Sequence, residues 1–322
     1  MRGTNSHLCR NTNTTILCST SLSKVVMATR NQRWQSHLDR LSPSRRFILK
    51  LTISRLYNIR NNFASRYIAG NGYEIGAQNS PLKCKHASQT RYIDYLSKKE
   101  SSEKYNIPEN ECVDVDIIAD ANSLGMMPPS SAAFIIANHV LEHSPNPIEA
   151  MHGWLRILQP GGILFLTLPN YQSNEFDFEK SPAGITHLAE DYRKAQNNED
   201  IITEHIHEHI QLIDGIDPNN STLFNQRYNA IIQSNLHTHY HVFNKKNILA
   251  LLNFIHQKTP IKVLNYLSFS NGFEMLFIIE KRVPDFHGPL TVKKNQLFNF
   301  SIIFKNIVKL LFIKIFSKKK PH

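Results

Sequence analysis

Four short loops in the first half of this chain carry residue types that can hold a ligand, at spacings that suit a single site. Gly70-Asn71-Gly72-Tyr73-Glu74-Ile75-Gly76-Ala77 sets small residues around a short apolar run, where backbone N–H groups can approach a bound group closely. Asp94 follows Glu74 by 20 residues, the distance at which nucleotide-binding α/β folds place an acid on ribose hydroxyls. A carboxylate suits that place because it can accept from both hydroxyls at once. Asp120-Ala121 ends a third apolar run, and Asn138-His139-Val140-Leu141-Glu142-His143 follows a fourth. Together these residues could grip the sugar and the base of a nucleoside-like ligand. Proton transfer has its own candidates among 16 His, the side chain that titrates nearest neutral pH.

The elements that must position these loops read as alternating strands and helices. Short apolar runs at Tyr73–Ile75, Tyr92–Ile93, Val113–Ile118, Phe134–Ala137 and Ile163–Leu168 are bounded by Gly, Pro, Asp or Asn, as buried parallel strands are. Pro147–Leu158 has Ile148, Met151, Trp154, Leu155 and Leu158 at helical spacing, with Pro147 suited to a first turn. A further helix is expected over residues 44–68, and another from an Asn244 cap to about His256. Runs at Ile261–Leu267 and Phe273–Glu280 flank a Ser270-Asn271-Gly272 turn. The pattern predicts an α/β fold with a doubly wound, mostly parallel, seven-stranded sheet. Residues 171–240 interrupt the alternation as a polar, His-rich insertion, expected over the C-terminal edge of the strands.

In this order, with Pro160-Gly161-Gly162 launching another strand, the loops resemble those of class I S-adenosylmethionine (SAM) dependent methyltransferases. The resemblance implies a Rossmann-like sheet whose last two strands form a hairpin with one strand antiparallel, SAM as cofactor, and methyl transfer as the activity. It implies Gly76 and Ala77 beside the methionine part of SAM, Glu74 near its amino group and Asp94 at the ribose. Asp120 and Ala121 would meet the adenine, and Asn138, His139 and the segment to His143 would lie near the activated methyl. The family's loop has three glycines; here Ala77, Gln78 and Asn79 follow Gly76 and the third is missing. The acceptor is expected to be a hydroxyl, in preference to a nitrogen, of a sugar, glycan precursor or other small molecule. The imperfect loop keeps open a non-catalytic SAM-fold binding or scaffold protein. A nicotinamide-dependent oxidoreductase is disfavoured, because Asp120 and the 138–143 signature have no role in that cofactor's usual site.

A hydroxyl acceptor must lose a proton, which calls for a base. His187 lies in Thr186-His187-Leu188-Ala189-Glu190-Asp191-Tyr192, and His237, His239 and His241 alternate, sharing one face if their run is a strand. Similar proteins with a His-x-His-Tyr-His stretch after such an insertion put His187, His239 and His241 first as catalytic candidates. Three imidazoles beside Glu190 or Asp191 could also compose a metal site, and a polar strand at the insertion's edge is the third reading. No metal is assigned. The Glu204–His209 run reads as a solvated helix face.

Composition bounds the remainder. A formal charge of +11 suggests nucleic acid until it is located. Residues 1–38 carry five Lys/Arg and 286–322 eight Lys, neither with an acid, whereas 39–285 hold 24 basic and 26 acidic residues. The basicity belongs to the tails, so no nucleic-acid partner is expected. Four scattered Cys give neither a disulfide framework nor a zinc spacing and fit a reducing compartment. Residues 1–40 read as a disordered extension or a transit-like segment, with Met27 an alternative start; 41–285 form the catalytic domain. In 286–322 the stretch 297–320 mixes bulky apolar residues with Lys. It suits either a peripheral contact with an anionic membrane or a helix packed on the domain. A cytoplasmic protein, partly on the inner membrane surface, is the resulting expectation.

Overall fold

The apolar runs pair into one sheet, and helices cover both its faces. The computed structural model describes residues 43–171, 177, 179–236, 238–268, 274–283 and 288–294. Its elements in chain order are α1 (Pro43–Tyr67), β1 (Ala69–Ile75), β2 (His86–Asp94), α2 (Lys98–Tyr105), β3 (Ile117–Ile118), β4 (Ala132–Asn138), α3 (Pro147–Ile157) and β5 (Leu158–Pro169). Then come α4 (Ile185–Gln196), α5 (Ile202–Glu208), α6 (Ser221–Gln233), α7 (Lys245–Lys258), β6 (Ile261–Ser268), β7 (Glu274–Lys281) and β8 (Val292–Lys294). The sheet runs β3-β2-β1-β4-β5-β7-β6-β8, parallel from β3 to β5. β7 is antiparallel to both β5 and β6, so the expected terminal hairpin is present. The Ser270-Asn271-Gly272 turn lies outside the described residues.

Local chemistry explains the elements that carry the site. Asn146 caps α3 by accepting the Glu149 N–H at 3.2 Å, and Pro147 occupies the first turn, where its missing donor is harmless. The stripe Ile148, Met151, Trp154 and Leu155 is fully buried against β4 and β5 together with α7. Each such side chain contributes about 1.5–3 kcal/mol by leaving water. On the other face α1 supplies Ile59, Phe63 and Ala64 against Phe134, Phe165 and Ile278. Asn244 caps α7 as expected, accepting from Asn247 N at 2.9 Å.

Three expectations require correction. No helix separates β1 from β2: residues 76–85 cross as an irregular loop. That loop carries Pro81 and only Ala77 and Leu82 as buried apolar residues, too little for an amphipathic turn, and α1 covers this face in its place. The third strand is confined to Ile117–Ile118; just before it Asp116 donates its N–H to Tyr92 O at 2.9 Å and accepts the Tyr92 N–H on its carboxylate at 2.7 Å. Finally, the sheet has an eighth strand, β8, which pairs parallel to β6 from within the segment read as a tail. The residues 1–42 and 295–322 lie outside the described part, and with them the readings placed there. Among the described residues no helix is long and apolar enough to cross a membrane.

The insertion is helical, built from α4, α5 and α6 with a π-helical turn at His209–Ile213. It has a small core of its own in Ile206, Ile210, Phe224 and Ile231. Its link to the sheet runs through the loop after β4, since His143 Nδ1 lies 3.0 Å from Thr238 O and His241 N donates to Glu142 O at 3.3 Å. The insertion therefore stands over the C-terminal edge of the strands, as expected.

Candidate active site

At the end of β1 the chain enters the site through Gly76, whose φ of +68° favours glycine and whose N–H donates to Ile93 O at 2.9 Å. A Cβ there would sit 3.2 Å from Val140 Cγ2, so the loop after β1 is pressed close to the loop after β4. Gln78 also takes a left-handed backbone at φ +48°, a conformation that ordinarily favours glycine. Ala77 is buried behind it. Glu74 departs from the role implied for it. Both its oxygens accept the Leu82 N–H at 3.0 Å, and Asn138 Nδ2 donates to Oε1 at 3.3 Å. Burial pushes its pKa up to about 7 against those bonds. Glu74 thus ties down the loop that follows Gly76.

Asp94 ends β2 at 5% exposure and accepts the Leu96 N–H on Oδ1 at 3.2 Å, with burial raising its pKa. Asp120 lies exposed on the next loop, where its Oδ1 accepts both the N–H and the Nδ2 of Asn122 at 2.7 Å. Trp154 Nε1 anchors that loop by donating to Ala121 O at 2.9 Å. The SAM implied by the sequence fits this edge: a close-approach loop at Gly76, a desolvated acid after β2, and a pinned Asp-Ala loop after β3.

Beyond β4 a buried polar network begins. Asn138 accepts from Thr167 Oγ1 at 3.0 Å while donating to Glu74. His139 holds a left-handed backbone at φ +54°. Its N–H donates to Thr167 O at 3.0 Å, and its Nε2 lies 3.0 Å from Glu274 Oε2. Glu274, 2% exposed, is also held by the Nε and the terminal nitrogen of Arg60. Burial would raise the Glu274 pKa, but the His139 and Arg60 bonds hold it below the usual value. Glu142 is completely buried, and among the described residues neither oxygen has a side-chain hydrogen bond; the nearest ring nitrogen is His139 Nδ1 at 3.5 Å. Desolvation pushes its pKa up to about 7.

The catalytic candidates divide. His239 and His241 do not share a strand face, because residues 238–244 form no strand. His239 Nδ1 contacts both oxygens of buried Asp177, at 2.8 and 2.9 Å. Its ring meets that of His143 edge-on, with centroids 4.6 Å apart, and Glu142, His143 and His239 bring ligating atoms within 4.8 Å of one another. Lys180 Nζ donates to His239 O at 2.9 Å and pairs with Glu208 at 3.0 Å, which fixes the backbone there. His143, at the end of the loop after β4, thus joins this histidine group.

His241 is corrected as a base. It is 2% exposed, held by Ser144 O and by Asp191 Oδ2 at 3.0 Å each, and burial pushes its pKa down to about 4. His187, about half exposed, lies 3.3 Å from the same Asp191 oxygen. The Glu204–His209 run is solvated only in part: Glu204 and His207 are exposed, whereas His205 is 4% exposed with Nε2 3.4 Å from Asp191 Oδ2. His237 lies outside the described residues.

Sequence reasoning missed Arg60, Asp177 and Glu274 entirely. They come from α1, the post-β5 segment and the start of β7, and no spacing links them. Glu142 was legible as part of a signature but not as a buried acid. A carboxylate placed directly before the apolar run Met275–Ile279 of β7 was the one available signal for Glu274.

A family model described as a methyltransferase domain matches residues 61–253. A search of curated proteins found no match. Solved structures match remotely. A Bordetella parapertussis protein described as a possible exported protein is 11% identical, with TM-score 0.40, covering 78% of this chain and 79% of its own. A Thermotoga maritima SAM-dependent methyltransferase described as a possible histamine N-methyltransferase is 14% identical, with TM-score 0.36, covering 74% and 97%. An arsenic(III) SAM methyltransferase from Chlamydomonas reinhardtii is 10% identical, with TM-score 0.36, covering 67% and 64%. At these scores the structures carry no argument about mechanism or substrate; the assignment rests on the family match and the site.

Proposed function

This chain belongs to the methyltransferase-domain family and is a class I SAM-dependent enzyme, and on that premise we propose that it methylates a hydroxyl of a sugar, glycan precursor or other small molecule, with His239 as base. When bound, SAM supplies an electrophilic methyl on a sulfonium, so the protein must align a nucleophile and take its proton. Gly76, Asp94, Asp120 and Asn138 would hold the cofactor. Alignment alone lowers a barrier by about 7–11 kcal/mol in favourable cases.

The observation that carries the hydroxyl reading is the Asp177–His239 pair. With Nδ1 donating to a buried carboxylate at 2.8 Å, the ring is fixed in one tautomer and orientation, and Nε2 is left as the proton acceptor. Amines deprotonate without such help more readily than alcohols do, so an oriented base favours oxygen as the acceptor atom. Incubation with methyl-labelled SAM and an extract of the source organism, followed by mass spectrometry, tests this. An O-methylated small molecule is expected; label on carbon, nitrogen, nucleic acid or protein alone would refute it. The segment 297–320 is read as a contact with anionic membranes, its Lys adding about 1 kcal/mol each. Salt-sensitive binding of the full chain to anionic vesicles, lost on deleting 297–322, would support it, and equal binding after deletion would oppose it.

A further inference from the structure

Outside the Asp177–His239 pair assigned to catalysis, the insertion holds a second cluster with a chemistry of its own. Asp191 Oδ2 lies 3.0 Å from His241 Nε2, 3.3 Å from His187 Nε2 and 3.4 Å from His205 Nε2. The ligating atoms of these four side chains all lie within 4.8 Å of one another. For metal–ligand bonds of about 2.0–2.1 Å, a tetrahedron has ligand–ligand edges of about 3.3 Å. The three distances to the carboxylate oxygen bracket that edge.

Hydrogen-bond inventory points the same way. His241 Nδ1 lies 3.0 Å from the Ser144 carbonyl, which can only accept, so Nδ1 is the N–H nitrogen. His241 Nε2 then faces a carboxylate oxygen that can only accept, so either a proton or a metal cation must lie between them. A metal-bound histidine characteristically anchors its other ring nitrogen to a carbonyl in this way. His205 adds an independent sign: its buried Nε2 is aimed at Asp191 from 3.4 Å, and among the described residues it has no hydrogen bond of good geometry. Three of the four residues are buried, and only His187, about half exposed, faces solvent and leaves a path for loading.

We propose that His187, Asp191, His205 and His241 form a four-coordinate site for a divalent transition metal, zinc in the first instance. Three imidazoles and one carboxylate make a nitrogen-rich, borderline set that suits Zn²⁺ and disfavours Ca²⁺ or Mg²⁺, which take oxygen cages. Four protein ligands fill the tetrahedron, so the metal's work here is structural. It would bind α4, through His187 and Asp191, to α5, through His205, and both to the segment leading into α7, through His241. Because His241 also holds Ser144 O and Glu142 O, the metal would fasten the insertion onto the loop after β4.

The test uses untagged full-length protein, purified without chelator and then stripped and titrated with Co²⁺ and Zn²⁺. One metal per chain by elemental analysis is expected, with the visible absorption of tetrahedral Co²⁺ and displacement by Zn²⁺. His187→Ala, at an exposed ligand, should weaken Co²⁺ binding at least tenfold while far-UV circular dichroism stays unchanged; Asp191→Asn should abolish the tetrahedral spectrum. Zinc should raise the thermal midpoint of wild type and not that of Asp191→Asn. Absence of a tetrahedral Co²⁺ spectrum in folded wild type would overturn the proposal, as would wild-type affinity retained in the folded His187→Ala and Asp191→Asn variants. A metal-free cluster would then be an ordinary histidine–aspartate network with His241 charged.

Discussion

Replacing Glu142 with Gln should change how stability responds to pH more than it changes stability at any single pH. Glu142 is fully buried, among the described residues it has no side-chain hydrogen bond, and burial moves its pKa from 4.5 up to about 7 despite the opposing fields of His239 and Arg60 and its own backbone N–H. A carboxyl whose pKa is raised on folding binds its proton more tightly in the native state. Its contribution is therefore fully present below the unfolded pKa, near 4.5, and is lost as pH rises through 7. At about 1.4 kcal/mol per pKa unit, the shift corresponds to about 3 kcal/mol. No solvent discount applies at complete burial. Gln carries no charge at any pH, so its own fixed penalty cancels when two pH values are compared. Urea unfolding of wild type and Glu142→Gln at pH 5 and pH 8.5 measures the difference. The variant should gain about 3 kcal/mol relative to wild type on going from pH 5 to 8.5. An equal gap between the two proteins at both pH values would refute the reasoning and mean that Glu142 is solvated or paired.

Other outcomes follow from the same geometry. Arg60→Leu leaves Glu274 buried with only His139 as a cationic partner and should destabilise by about 3–5 kcal/mol in urea unfolding. Gly72→Ala would drive a methyl into the Phe134 carbonyl across the β1–β4 pair. That backbone clash should lower the urea midpoint by the equivalent of about 1–3 kcal/mol or more; an unchanged midpoint would mean the two strands can separate freely. Asp94→Ala should weaken SAM binding by about 1–3 kcal/mol in calorimetry without lowering the thermal midpoint to match.

The parts of the fold legible in sequence were those where one residue type answers one local demand. The Pro147 start of α3 with its Trp154 stripe and the Asn244 cap of α7 follow from capping and periodicity, whereas the terminal hairpin was implied by the family resemblance. The missing helix after β1 was not legible, because the pattern says where apolar runs stop and not which distant helix covers a face; α1 does that here. The β1-, β2- and β3-end loops were readable because their chemistry is contiguous in the chain. The polar network was not: Arg60, Glu142 and Glu274 meet only once the sheet is folded. Asp177 reaches His239 across 62 positions. The alternating His run misled for a physical reason. Period two implies a shared face only on a strand, and this segment is irregular, so His239 and His241 turn to different carboxylates.

The central claim is a SAM enzyme whose His239, oriented by Asp177, takes the acceptor's proton. It is tested most directly by measuring SAM affinity and labelled-methyl turnover side by side in wild type and His239→Gln. The account predicts unchanged SAM affinity by calorimetry and turnover lowered by about 10²- to 10⁴-fold in the variant. Undiminished turnover in folded His239→Gln, or no SAM binding by folded wild type, would contradict it.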